Sequence, residues 1–135
     1  PLEEAADLQK GLSAEGLDLV SLIAPTTADL RAQEIASNSS GFLYYVSLKG
    51  TTGSGALAVD EVAQRMKFLR TLSDVPICVG FGIKDAASAA AVGAHADGVV
   101  VGSALVQLMA DAPDVQAAAQ RLQTAAAAIR QGLDA

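Results

Sequence analysis

Three short segments hold the residues whose type and spacing can do chemistry: Gly50-Thr51-Thr52-Gly53, Gly80-Phe81-Gly82 and Gly102-Ser103. Glycine lets the backbone come close to a ligand and adopt positive φ. Free N–H groups at a helix start point outward and favour an anion. A single Gly-x-Gly is explained by a turn. Three such segments, each at the end of an expected strand, point to backbone amides that hold a phosphate. No Lys or Arg is needed for that.

The other reactive residue types have plainer readings. His95, the only histidine, precedes the last aliphatic run, at the opposite end from the glycine loops, and reads as a surface turn. Cys78 lies mid-strand and reads as a small core side chain. Lys84 and Lys49 lie near the glycine segments, either adding positive potential or simply solvated. Tyr44 and Tyr45 alternate, so one faces inward whatever the function. Met66 and Phe68 read as helix packing or nearby surface.

The formal charge is −6, from 9 Lys+Arg against 15 Asp+Glu, which argues against a broad nucleic-acid surface. With 51% hydrophobic and 18% charged residues, the composition is that of a globular domain. One cysteine excludes an internal disulfide and suits a reducing cytoplasm. No apolar run reaches the roughly 18 residues of a membrane helix, and no secretory signal is visible at the start.

Periodicity predicts the elements that position the glycine segments. A helix is expected over 2–10, ending at Gly11, with Pro1, Glu3 and Glu4 favouring its start. An apolar run over 17–24, closed by Pro25, reads as a strand buried on both faces. Thr26 and Asp29 have capping-box spacing for a helix to about 36. A strand follows over 42–47. Val59, Val62, Met66 and Leu69 recur at helical spacing. Further strands are expected over 75–80 and 98–101, with helices over 86–92, after Gly102-Ser103 through 110, and over 113–131. The last helix carries Val115, Leu122, Ile129 and Leu133 on one side. The order is one helix and then four βα units, hence parallel strands with right-handed crossovers. Alternation alone fits half of a (β/α)8 barrel and a small doubly-wound sheet equally well.

The order and spacing of four motifs carry a resemblance. The segments Phe42-Leu43-Tyr44-Tyr45-Val46-Ser47, Gly50-Thr51-Thr52-Gly53, Val79-Gly80-Phe81-Gly82-Ile83 and 97–104 together resemble the last three strand–loop units of the tryptophan synthase alpha subunit family. Pro1-Leu2-Glu3-Glu4 resembles the segment after that family's fourth strand. The likeness extends over essentially all 135 residues. Gly-Thr-Thr-Gly beside a Tyr-containing strand is its most specific part. The other glycine motifs also occur in phosphate-binding barrels such as indole-glycerol-phosphate synthase and the imidazole-glycerol-phosphate synthase cyclase.

The resemblance implies an α/β fold, a (β/α)8 TIM barrel of which residues 1–135 supply the last four βα units and the preceding helix. It implies a lyase that cleaves indole-3-glycerol phosphate to indole and glyceraldehyde 3-phosphate. Gly53, Gly82, Gly102 and Ser103 would donate N–H groups to the phosphate. Tyr44 would line the pocket, and Phe81 and Val100 would flank the indole. Thr52 would sit in the loop that closes over the site. The family's alpha subunit uses no cofactor or metal. Its beta partner carries pyridoxal phosphate, in an alpha2beta2 assembly. The catalytic Glu and Asp lie in the family's N-terminal half, so this chain alone is expected to be inactive. Asp60, Asp74, Asp85 and Asp97 read as cap or turn residues. The alternatives are the phosphate-binding half of another barrel enzyme and a non-catalytic half-barrel assembly module.

Overall fold

A computed structural model describes residues 2–47, 55–80 and 82–134, with side chains from residue 59 onward in the second stretch. A 3-10 turn, Leu2–Glu4, leads into α1 (Ala6–Ala14). Then come β1 (Ser21–Ile23), α2 (Asp29–Ser37), β2 (Leu43–Val46), α3 (Gly55–Leu69), β3 (Ile77–Gly80) and α4 (Ala86–Gly93). The described chain closes with β4 (Gly98–Val100), α5 (Ser103–Ala110) and α6 (Val115–Asp134).

The sheet order is β1-β2-β3-β4 and every pairing is parallel. Strand order follows chain order without a reversal. A doubly-wound sheet needs a reversal and helices on both faces, so the architecture is that of half a barrel. Ile23, Leu43, Tyr45, Ile77 and Val79 are buried with Ala32 and Ala36 of α2 and with Val62, Met66 and Leu69 of α3. Each such large side chain stabilises the fold by roughly 1.5–3 kcal/mol. A second cluster joins Ile83, Ala89 of α4 and Ile129 of α6, with Val99 and Leu133 packed on it.

Several sequence expectations change. The first helix runs through Gly11 to Ala14. The strand expected over 17–24 is only Ser21–Ile23, and it is not buried on both faces. Ile23 is fully buried against the helices, while Leu22 is 58% exposed on the opposite face. An apolar run cannot by itself say whether both faces find partners. The expected capping box before α2 is absent: Ala28 takes the cap position without a side-chain bond. Thr27 Oγ1 instead accepts from the Ala24 N–H at 3.0 Å, and the Asp29 carboxylate accepts from Arg65 of α3 at 2.6 Å. Asp60 lies inside α3 rather than at a cap or turn. Val115, assigned to the packed side of the last helix, is 85% exposed, whereas Ile129 is buried.

The Asp85 cap is as expected, and it is a full capping box. Ser88 N–H donates to Asp85 Oδ1 at 2.8 Å, and Asp85 N–H donates to Ser88 Oγ at 3.2 Å. Donation from the Ser88 side chain, then from its backbone N–H, holds the Asp85 carboxyl below its ordinary value. Its contribution to stability is therefore complete above the unfolded carboxylate range. It is lost as pH falls through the depressed folded value. Asn at position 85 keeps an acceptor but does not titrate. The gap in melting temperature between wild type and Asp85→Asn is expected to shrink below about pH 4. A gap that does not change with pH would contradict this account.

Candidate functional site

All four strands run the same way, so their C-terminal ends share one rim. Helices that start along such a rim offer N–H groups to a ligand, and three of the starts described carry an acidic residue at or beside the first turn. α2 carries Asp29 in its first turn. α4 is closed by the Asp85 carboxylate. α6 begins with Asp114 Oδ1 accepting from the Ala117 N–H at 2.8 Å.

α5 differs. Gly102 is its cap, no side chain bonds there, and no acid lies in the first turn. The N–H groups of Leu105 and Val106 both donate to the Gly102 carbonyl. Those of Ser103 and Ala104 are the donors that a helix start leaves without an intrahelical partner. Gly102 and Ser103 are exposed. A Cβ built on Gly102 would meet nothing within 4 Å. The positive end of α5 thus faces open space.

The strand register brings a second glycine to this point. Gly80 pairs with Val100, so Gly82 and Gly102 each lie two residues beyond the same rung of neighbouring strands. Gly82 has φ +74°, a conformation that suits glycine at a tight exit turn.

Below the rim, Tyr44 stands on the face opposite the packed helices. Its register partner is Cys78, whereas Tyr45 points into the helix-side core. The Tyr44 ring leans across β3 above Gly80. A Cβ on Gly80 would lie 2.5 Å from Tyr44 Cε2 and 2.8 Å from Cζ. Gly80 is therefore required by Tyr44, a role its place in Gly-x-Gly does not reveal. Val100 is half-buried on the same face. The described site residues form a continuous strip: Gly82, Gly102 and Ser103 at the rim, with Tyr44 and Val100 beneath them. Thr52, Gly53 and Phe81, along with Lys49, lie outside the described residues.

The remaining candidates fall away from the strip. His95 is exposed in the turn before β4, at the other end of the sheet. Asp97 ties the strand starts together: Oδ2 accepts from the Ile77 N–H at 2.8 Å and Oδ1 from Arg70 at 2.9 Å. Asp74 lies in the bend before β3. Lys84 is exposed, with its N–H donated to Ser88 Oγ in the α4 cap. Cys78 is half-buried rather than in the core. Burial, and secondarily the Asp97 charge, pushes its thiol pKa up, away from the thiolate. Among the described residues no cluster of His, Cys, Asp and Glu could hold a metal, and no helix is long and apolar enough to cross a membrane. Leu22 was missed by the sequence reading. Its place on the open face follows from its pairing with Tyr44, and no local signal marks it.

Residues 1–134 match the family model described as tryptophan synthase alpha chain. The Xylella fastidiosa (strain 9a5c) tryptophan synthase alpha chain is 47% identical over 135 residues, which is 100% of this chain and 50% of that protein. The Chromobacterium violaceum protein of the same description is 56% identical over 107 residues, 79% of this chain and 41% of its own length. The crystal structure of tryptophan synthase subunit alpha from Legionella pneumophila str. Paris superposes with a TM-score of 0.80 at 33% identity, covering 99% of this chain and 49% of that one. The chain spans about half the length of the curated relatives it matches.

Proposed function

The chain belongs to the tryptophan synthase alpha chain family, and from that premise we propose that residues 1–135 form the C-terminal half-barrel of a lyase that cleaves indole-3-glycerol phosphate to indole and glyceraldehyde 3-phosphate. One observation carries the reading: the open, acid-free start of α5 beside the β3 exit, with the Tyr44 ring directly below it. That geometry suits a dianion at one end of a ligand and an aromatic ring at the other.

In this reading the N–H groups of Gly53, Gly82, Gly102 and Ser103 hold the phosphate. Tyr44 walls the pocket, Phe81 and Val100 flank the indole, and Thr52 belongs to the closing loop. Cleavage of the C–C bond needs an acid/base group and a carboxylate facing the indole nitrogen as positive charge develops. No strand described here carries an Asp or Glu. We assign both carboxylates to the N-terminal half of the barrel, which also covers the open face bearing Leu22. The alpha reaction uses no cofactor. Pyridoxal phosphate belongs to the beta subunit with which the whole alpha subunit assembles, as alpha2beta2, in the cytoplasm.

The test is to assay the purified 135-residue chain for cleavage of indole-3-glycerol phosphate, alone and completed by the family's N-terminal half. The chain alone is expected to be inactive and the completed barrel active. Cleavage by the chain alone would overturn the carboxylate assignment. A folded, completed barrel that binds no glycerol phosphate would overturn the lyase reading.

A further inference from the structure

Leu22, Tyr44, Cys78 and Gly98 lie on one continuous rung of the sheet, all on the face that the helices leave open. Gly80 and Val100 are one step nearer the rim. The Tyr44 ring rises over Gly80 and leaves its own rung for that higher level. Cys78 does the opposite. A Cβ on Gly98 would lie 3.0 Å from Cys78 Sγ, so the thiol is folded sideways into the space that Gly98 vacates. The Cys78 side chain is half-buried and reaches across to β4.

The distance from the rim fits the substrate class proposed above. Cys78 and Gly98 are four residues before Gly82 and Gly102, at most about 13 Å at the roughly 3.3 Å rise per strand residue. An indolyl glycerol phosphate with its phosphate at the rim spans about 12 Å to the far edge of its benzo ring, from ordinary bond lengths. A ligand lying along the strands would pass Tyr44 and end against this rung. Resting on the lyase reading, we infer that Cys78, seated over Gly98, forms the floor of the aryl end of the pocket and sets how large a ring it accepts. The role is one of shape and uses no thiol chemistry.

The experiment uses the complete subunit carrying this chain, as wild type and as Cys78→Leu and Cys78→Ala. Three probes are titrated: glycerol phosphate, indole-3-propyl phosphate, and an indole-3-propyl phosphate bearing a methyl group on the benzo ring. Cys78→Leu is expected to weaken the unsubstituted indolyl probe at least 10-fold and leave glycerol phosphate within 2-fold. Cys78→Ala is expected to shift preference toward the methylated probe by about 10-fold, the scale for one methyl-sized step in an apolar pocket. Should Cys78→Leu fail to fold, Cys78→Ala decides alone, and an unchanged ratio of the two indolyl probes overturns the inference. Equal weakening of all three probes also overturns it, since that marks general damage. A wild type that binds no glycerol phosphate fails at the rim, which separates loss of the lyase reading from loss of the floor.

Discussion

Glutamate at position 102 is expected to abolish phosphate binding while leaving the fold intact. The fold survives because a Cβ there meets nothing within 4 Å and the Gly102 φ is negative. Binding fails because the new carboxylate enters the space before the α5 N-terminus. One charge pair 4 Å apart at an effective dielectric near 20 costs about 4 kcal/mol. Solvent and counterions reduce that, so the expected loss is at least 100-fold in affinity for glycerol phosphate, read by calorimetry on the completed barrel. Gly102→Ala adds bulk without charge and is expected to lose less. Equal affinity in wild type and Gly102→Glu would remove α5 from the phosphate site.

The second large effect is expected at Gly80. Alanine there places a methyl group 2.5–2.8 Å from ring atoms of Tyr44. β3 cannot retreat, because Gly80 lies in the sheet between its neighbours and its carbonyl accepts from the Ser47 N–H at 2.9 Å. The Tyr44 ring must move instead. Overpacking of this kind costs roughly 1–3 kcal/mol. Displacing a pocket wall by an ångström is expected to lower turnover about 10- to 100-fold. Tyr44→Ala removes the collision, so the double variant should be more stable than the sum of the single effects, with a coupling of about 1 kcal/mol or more in denaturant titrations. Strict additivity would show that the ring and the glycine do not oppose each other.

The loops were more legible than the surfaces. Gly82, Gly102 and Ser103 stand out in the sequence because glycine-rich segments recur after successive strand-like runs, and the structure places them at neighbouring strand exits. Asp85 was readable as a cap because its partner is three residues away. The same local rule failed at Thr26 and Asp29, where Arg65, 36 residues beyond Asp29, takes the carboxylate. Val115 was misplaced because helical spacing does not say which side of a helix finds a neighbour. The half-burial of Cys78 and the exposure of Leu22 belong to the sheet face that the described helices leave open, and no local pattern marks that face.

Taken alone, the chain's residues determined the βα alternation, the glycine-rich strand exits and the resemblance to a barrel family, since these rest on periodicity and motifs that span a few residues each. Tertiary structure decided the monotonic strand order, the Tyr44 ring over Gly80 and the thiol folded into the space at Gly98. Each depends on residues from different strands or helices meeting in space, and such meetings are set by register and crossover rather than by any local pattern.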